Sequence, residues 1–363
     1  MPVKLKPLGR IVGPLLSWYE KNRRVLPWRE DPQPYHVWLS EIMLQQTRVE
    51  TVKPYYSRFL EALPSVKDLA AAPEEQLLKL WQGLGYYSRV RTMQKAARIL
   101  HEQYDDCLPS SYEELIRLPG FGEYTAGAVA SIAFDIPVPA VDGNVLRVYS
   151  RLEASFDDIM RPEVRKEVTR RIAEIEPSDR PGDFNQSLME LGATVCLPNG
   201  APKCMVCPLN GYCEGYRQGV AEELPKKAPK AKRKIENRTI LLLTDGEKVA
   251  LQKRPDSGLL AAMWEFPNLP DCQSRQAVLA ILEGKQAEVL SIKPLKPAKH
   301  IFSHIEWHMS GWLVHISKTA SLPEFSWATA KELLREYALP SAYRTFLKAA
   351  ENILSKSSES NCL

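Results

Sequence analysis

LPGFGEYTAGAV, residues 118–129, decides the fold of the first half of this chain. Pro119 with Gly120 and Gly122 makes a tight turn, and the residues after it begin a helix. Glycine permits close backbone approach, and the unpaired amides at a helix start can bind an anion such as phosphate. Many helix–helix turns contain glycine for no such reason, so the turn alone carries a modest signal. The preceding SYEELIRL (111–118) also has helical character, which makes the whole a helix–hairpin–helix unit. Such a unit positions a duplex through its phosphate backbone without reading sequence.

Outward from this turn, residues 11 to about 217 keep helical spacing. Val52, Tyr56, Phe59, Leu60 and Leu63 form one apolar stripe, and Val145, Val148, Tyr149 and Leu152 another. Prolines and glycines punctuate between the helices, and neither strand alternation nor an internal repeat is visible. The chain has 363 residues, above the roughly 250–300 at which one core stops growing, so two domains are expected. At 44% hydrophobic and 25% charged it has a globular composition, and no apolar run reaches the roughly 18 residues that argue a membrane span. Net charge is +4, which permits nucleic-acid binding without demonstrating it. Lys4, Lys6 and Arg10 precede the first acid, Glu20, but no Ser/Arg-rich extension follows. A cytoplasmic, nucleoid-associated monomer is expected.

Composition changes at PKKAPKAKRK (225–234), where Lys and Arg fill six of the nine positions from 226. This reads as a solvated linker that can also lie along phosphate. Beyond it RTILLLT, KVALQKR and HIEWHMSGWLVHI read as strands, Asp245-Gly246 as a hairpin turn, and 273–284 and 329–336 as helices. The expected organisation is a mostly α domain over 1–221, a linker over 222–236, a smaller α+β domain over 237–355, and a disordered tail over 356–363.

Three groups of residues carry chemistry. In VWLSEIMLQQT (37–47), Glu41 sits among Val37, Trp38, Leu39, Ile42, Met43 and Leu44, which cover most of the helix circumference. A helix apolar nearly all round is buried, so its carboxyl is either a costly accident or a working acid. In AVDGNVLRVYSR, Asp142 precedes Gly143 and an amphipathic helix. That is an ordinary N-cap, and its amides and the helix dipole are expected to keep the carboxylate ionised. An ionised Asp142 opposite a neutral Glu41 would be the split pair that acid-assisted glycosidic chemistry uses. Finally, Cys196, Cys204, Cys207 and Cys213 are spaced C-x7-C-x2-C-x5-C. The spacing suits four thiolates on an iron–sulfur cluster, with a structural zinc as the alternative.

Taken together, LPWR (26–29), SEIMLQQTRVETV (40–52), GLGYYSRVR (83–91), LPGFGEYTAGAV (118–129), AVDGNVLRV (140–148), FNQSLMELGATVC (184–196) and the cysteine loop resemble the helix–hairpin–helix DNA glycosylases. The specific resemblance is to adenine DNA glycosylases of the MutY type. It implies an enzyme that removes adenine mispaired with 8-oxoguanine in double-stranded DNA. By that resemblance Glu41 is the acid that protonates adenine, Asp142 stabilises the oxocarbenium-like sugar or bonds to it briefly, and Tyr124 and Asn144 support them. Trp28, Arg29 and Gln186 would line the adenine pocket. Gln46 and Tyr86 would fill the duplex, Thr47 and Leu84 would touch the orphaned base, and Gly85, Gly120 and Gly122 would approach DNA. The cysteines would hold a [4Fe-4S] cluster, although the family's first spacing is six residues and LPNGAPK is seven.

The bifunctional relatives of the endonuclease III type carry a lysine where this chain has Tyr124, and no lysine lies between 118 and 130. A phenol cannot form a Schiff base, so base removal without strand cleavage is expected. The C-terminal half resembles the Nudix-like domain of these glycosylases, SGLLAAMWEFPN (257–268) being the recognisable piece, with Phe302, Ser303 and His304 expected to recognise 8-oxoguanine. Residues 272–284 hold one acid, Glu283, too few for a magnesium-dependent hydrolase. The competing readings are a glycosylase/lyase for oxidised pyrimidines, an inactive iron–sulfur DNA-binding protein, and a nucleotide hydrolase.

Overall fold

The computed structural model describes residues 8–229, 232–317 and 322–360. Contacts divide the chain into two units, Met1–Ala72 with Ser88–Pro229, and Pro73–Tyr87 with Lys230–Leu363.

The first unit is built from helices. They are α1 (Val12–Asn22), α2 (Pro27–Glu30), α3 (Pro34–Leu44), α4 (Val49–Ala62) and α5 (Val66–Ala71), then, after α6 (Glu74–Trp81) of the second unit, α7 (Ser88–Gln103), α8 (Tyr112–Leu115), α9 (Glu123–Phe134), α10 (Gly143–Leu152), α11 (Pro162–Ala173), α12 (Pro181–Thr194) and α13 (Glu214–Arg217). Prolines that punctuate the sequence open α2, α3, α11 and α12, where the missing amide is not needed. The hairpin's first helix is a single turn, capped by the Ser111 hydroxyl. Its turn needs glycine at 120, where φ is +82° and an added Cβ would lie 2.8 Å from Thr92 Cγ2. Val145, Leu146, Val148 and Leu152 of α10 pack with Phe184, Leu188 and Leu191 of α12 and with Ile11 and Leu15. The rim of this core includes Cys196, Cys207 and Cys213, so the cysteine loop is anchored on α10 and α12.

The second unit carries β1 (Lys234–Thr244), β2 (Lys248–Lys253), β3 (Trp264–Glu265), β4 (Asn268–Pro270), α14 (Arg275–Gly284), β5 (Val289–Pro294), β6 (Ala298–Ile301), β7 (Ile305–Ile316), β8 (Ser326–Thr329), α15 (Ala330–Arg335) and α16 (Arg344–Ser360). The sheet runs β3-β2-β1-β7-β5, with β1 parallel to β7 along its whole length. Along β1, Ile240 and Leu242 face a core with Phe346 and Leu354 of α16. Leu241 and Leu243 face another with Val278 and Leu282 of α14. A strand covered on both faces explains why RTILLLT is apolar without alternation.

Three boundaries differ from expectation. Residues 73–87, expected within 1–221, pack with the C-terminal residues: Lys79 Nζ donates to Tyr337 O at 2.9 Å and Gln82 Nε2 to Leu339 O at 2.9 Å. The basic segment is not a free linker at its start, because Ile159 N donates to Lys226 O (3.2 Å) and the Lys226 ammonium sits 5.2 Å from the Phe156 ring centroid. Its end, from Lys234, is already strand. The tail continues as helix to Ser360, extending a helix held by Phe346, Ala350 and Leu354; residues 361–363, like 1–7, 230 and 231, lie outside the described residues.

Candidate active site and cysteine loop

Helices α3, α9, α10 and α12 meet around a cavity of about 590 Å³. Of the expected residues, Trp28, Arg29, Glu41, Gln46, Thr47, Gly120, Gly122, Tyr124, Asp142, Asn144 and Gln186 all line it. Glu41 is 6% exposed, and α3 buries it together with Tyr35, Val37–Ser40, Ile42 and Met43. Burial pushes its carboxyl up to about 7, the nearby Asp142 charge adding to the rise and the Tyr124 hydroxyl bond opposing it. The Tyr124 hydroxyl donates to Glu41 Oε2.

Asp142 caps α10. Its Oδ1 accepts from Asn144 N and Val145 N, both at 2.8 Å, and its Oδ2 from Asn144 Nδ2 at 2.6 Å. Such a cap is worth about 1 kcal/mol to the helix. The expectation that these bonds alone set its charge is corrected: burial wins, and the Asp142 carboxyl is raised above its ordinary value. The asymmetry with Glu41 lies in the partners, three N–H donors that favour the carboxylate against one hydroxyl.

Of the cavity's polar wall, Arg29 and Gln186 were expected, but sequence reasoning missed Glu190 and Arg24, which fix them. Glu190 is fully buried on α12 and accepts from Arg24 Nε (2.6 Å), Arg24 Nη2 (2.9 Å) and Arg29 Nη2 (2.9 Å). These charges hold its carboxyl below the usual range despite burial. Arg29 Nε donates to Gln186 Oε1 at 3.0 Å. An acid inside the apolar run FNQSLMELGATVC was the available signal, the same that exposed Glu41.

At the end of α3, Arg89 Nη1 donates to the carbonyls of Ile42 (2.7 Å), Met43 (3.0 Å) and Gln45 (2.6 Å), fixing the turn that carries Gln46 and Thr47. Gln46 has φ +56°, and Tyr86 has φ +48°. Left-handed backbone is costly for such residues and clusters at functional sites. Leu84, Gly85 and Tyr86 do not line the cavity; they belong to the second unit, where the Tyr86 hydroxyl lies 3.1 Å from Ser303 Oγ. There Phe302 packs edge-on to Trp307 (4.9 Å between centroids), while Ser303 and His304 are exposed. Glu283 is likewise exposed, alone among the residues of α14 in being acidic.

The four cysteines line one recess beside Arg151. No group of three or more His, Cys, Asp or Glu among the described residues is set for a single metal ion. The donor set itself, four thiols with no disulfide among them, matches the all-thiolate ligation of an iron–sulfur cluster. Burial raises the Cys204, Cys207 (to about 12) and Cys213 thiols, and a bound cation would favour their thiolates. Arg151 Nη1 donates to Cys196 Sγ at 3.2 Å. Arg147 Nε donates to Cys196 O (2.8 Å), and Arg147 Nη2 to Asn144 Oδ1 (2.8 Å) and Gly192 O (2.7 Å). One guanidinium thus joins the cysteine loop to the residue that holds Asp142.

Gly192 lets α12 approach this point. A Cβ there would lie 2.6 Å from Asn144 Cβ. Gly192→Val is expected to displace Asn144, lowering turnover more than tenfold while costing roughly 1–3 kcal/mol of stability by overpacking. Single-turnover rates and denaturant unfolding of the variant measure both.

Residues 39–174 match the HhH-GPD superfamily of base excision DNA repair proteins, and residues 238–349 match the NUDIX domain. The chain is 38% identical to the adenine DNA glycosylase of Mus musculus, the similarity covering 80% of this chain and 68% of that one. It is 34% identical to that of Buchnera aphidicola subsp. Baizongia pistaciae, covering 84% and 86%. A trapped covalent intermediate of endonuclease III with DNA is similar in structure, with a TM-score of 0.50 and 26% identity over 58% of this chain and 95% of that one. With relatives alike over most of both chains, and with both domains of the expected architecture present, this chain belongs to the adenine DNA glycosylases.

Proposed function

We propose that this enzyme hydrolyses the N-glycosidic bond of adenine paired with 8-oxoguanine, or with guanine, in double-stranded DNA, and leaves the strand uncut. The observation that carries the reading is a buried Glu41, raised to about 7, sharing one cavity with an Asp142 held by three N–H donors. The target base is swung out of the stack into that cavity. Tyr124 occupies Glu41 Oε2, which leaves Oε1 to carry the proton given to the adenine N7. The C1′–N9 bond then breaks, its electron pair staying with the base. Asp142 faces the cationic sugar, and water adds at C1′, its proton restoring the carboxyl of Glu41. Asn144 holds Asp142, and Trp28, Arg29 and Gln186 form the base pocket. No amine replaces Tyr124, so no Schiff base forms and the lyase reading is disfavoured.

Gln46, Thr47, Leu84, Gly85, Tyr86, Gly120 and Gly122 are assigned to DNA, and Phe302, Ser303 and His304 to 8-oxoguanine. The left-handed backbones of Gln46 and Tyr86 support the first assignment. Cys196, Cys204, Cys207 and Cys213 are assigned to a [4Fe-4S] cluster that orders their loop. We assign residues 1–221 apart from 73–87 to base removal and 237–355 to recognition of the opposite base, the enzyme acting as a monomer at the nucleoid. No helix among the described residues is long and apolar enough to cross a membrane.

The test is a duplex assay. The protein is incubated with 8-oxoguanine:adenine, guanine:adenine and thymine glycol duplexes, and breaks are scored with and without alkali. Breaks only after alkali, and only at adenine, are expected. Breaks without alkali on thymine glycol would replace this reading with the bifunctional one.

A further inference from the structure

The polar wall of the cavity has a direction that its residue types alone do not give. Gln186 is a carboxamide, able to face a purine in either of two senses. With Oε1 beside the exocyclic amino group and Nε2 beside N1, it complements adenine; reversed, it complements the O6 and N1–H of hypoxanthine or guanine. In this structure Oε1 accepts from Arg29 Nε at 3.0 Å, which turns Nε2 away from Arg29. Reversal would set two N–H donors against each other next to a fixed cation. Arg29 cannot step aside, because Nη1 donates to Arg24 O (3.2 Å) and Nη2 to Glu190 Oε2 (2.9 Å). Glu190, one helical turn beyond Gln186 on α12, is itself fixed by the two-pronged bond from Arg24 at 2.6 and 2.9 Å. Its carboxylate has no exposed surface, so solvent does not weaken these bonds.

Resting on the adenine reading above, we infer that Glu190 is a positioning residue for base specificity. Through Arg29 it holds the Gln186 carboxamide in the sense that reads adenine and rejects a purine bearing N1–H and O6. Glu190 lines the same cavity, but the effect runs through Arg29 and the amide it holds. Its removal frees Arg29, the amide gains its second orientation, and discrimination falls while the acid chemistry of Glu41 is retained.

The test compares release of adenine and of hypoxanthine, each opposite 8-oxoguanine, by the full-length protein under single-turnover conditions. Glu190→Gln is expected to lower the adenine-to-hypoxanthine rate ratio on the order of 10- to 100-fold, with part of the change a gain in hypoxanthine release. Arg29→Met leaves Glu190 paired with Arg24 and frees the amide directly, so it carries the test if Glu190→Gln does not fold; the same shift is expected. Rates for both bases falling together, with the ratio unchanged in these variants, would overturn the inference. A wild-type protein that releases no adenine overturns the underlying activity instead, and does so before any variant is compared.

Discussion

Glu41→Gln is expected to abolish adenine release and, at the same time, to make the protein more stable at neutral pH. The loss of turnover follows from removing the general acid, typically about 10²- to 10⁴-fold. The gain in stability follows from the same burial. In the folded chain the Glu41 carboxyl titrates at about 7, against 4.5 for the ordinary group. Between these values the unfolded chain releases a proton that the folded chain keeps, so folding stability falls as pH rises from about 4.5 to about 7 and then stays level. At about 1.4 kcal/mol per unit the difference is roughly 3 kcal/mol. Glutamine keeps an oxygen for the Tyr124 hydroxyl and carries no charge to bury. Denaturant unfolding at pH 8 should therefore favour the variant by up to roughly 3 kcal/mol, and at pH 4 the two proteins should coincide. The wild-type rate should fall as pH rises through about 7, because only protonated Glu41 can give a proton. A variant that keeps turnover, or one whose stability advantage over wild type is no larger at pH 8 than at pH 4, sinks the assignment of Glu41.

How much of this was legible before the structure depends on how local each signal is. Glu41 could be found because its apolar neighbours surround it on one helix within one short stretch. The hairpin could be found because Gly120 meets a backbone requirement that few other residues satisfy. The cysteine loop was visible as spacing. Glu190 and Arg24 were harder, since the pair spans 166 positions and only folding brings it together. Asp142 was recognised as a cap, but the burial that raises its carboxyl was not visible, because capping is local and burial is not. Residues 73–87 mislead for a further reason. Their helix is amphipathic like its neighbours in sequence, and nothing in that periodicity says that Leu339 and Tyr337 supply partners for Gln82 and Lys79.

Arg147→Met should damage catalysis although Arg147 is neither the acid nor a residue of the base pocket. Arg147 is 6% exposed, and burial lowers its basicity, yet it remains a cation whose shortest bonds go to Cys196 O, Asn144 Oδ1 and Gly192 O, with a longer one to Gly143 O. Methionine fills similar volume and makes none of these bonds. Two buried carbonyls and the Asn144 oxygen lose their donor, and with hydrogen bonds to charged groups worth about 1.5–3 kcal/mol the expected loss of stability is roughly 3–5 kcal/mol. The catalytic effect comes through Asn144. Its oxygen is fixed by Arg147 and its nitrogen donates to Asp142 Oδ2, so a free Asn144 lets the carboxylate shift under the developing cation. A displacement near 1 Å at such a point costs on the order of 100-fold in rate. Lysine is the discriminating control: it restores the charge but, as a single point donor, cannot hold three acceptors that lie in different directions. If Arg147→Lys recovers stability but not single-turnover rate, the guanidinium fork positions Asp142. If it recovers both, charge alone suffices and the geometric role is refuted. Because Arg147 also holds the Cys196 carbonyl, the methionine variant should loosen the cysteine loop, read as faster proteolysis between Leu197 and Cys213.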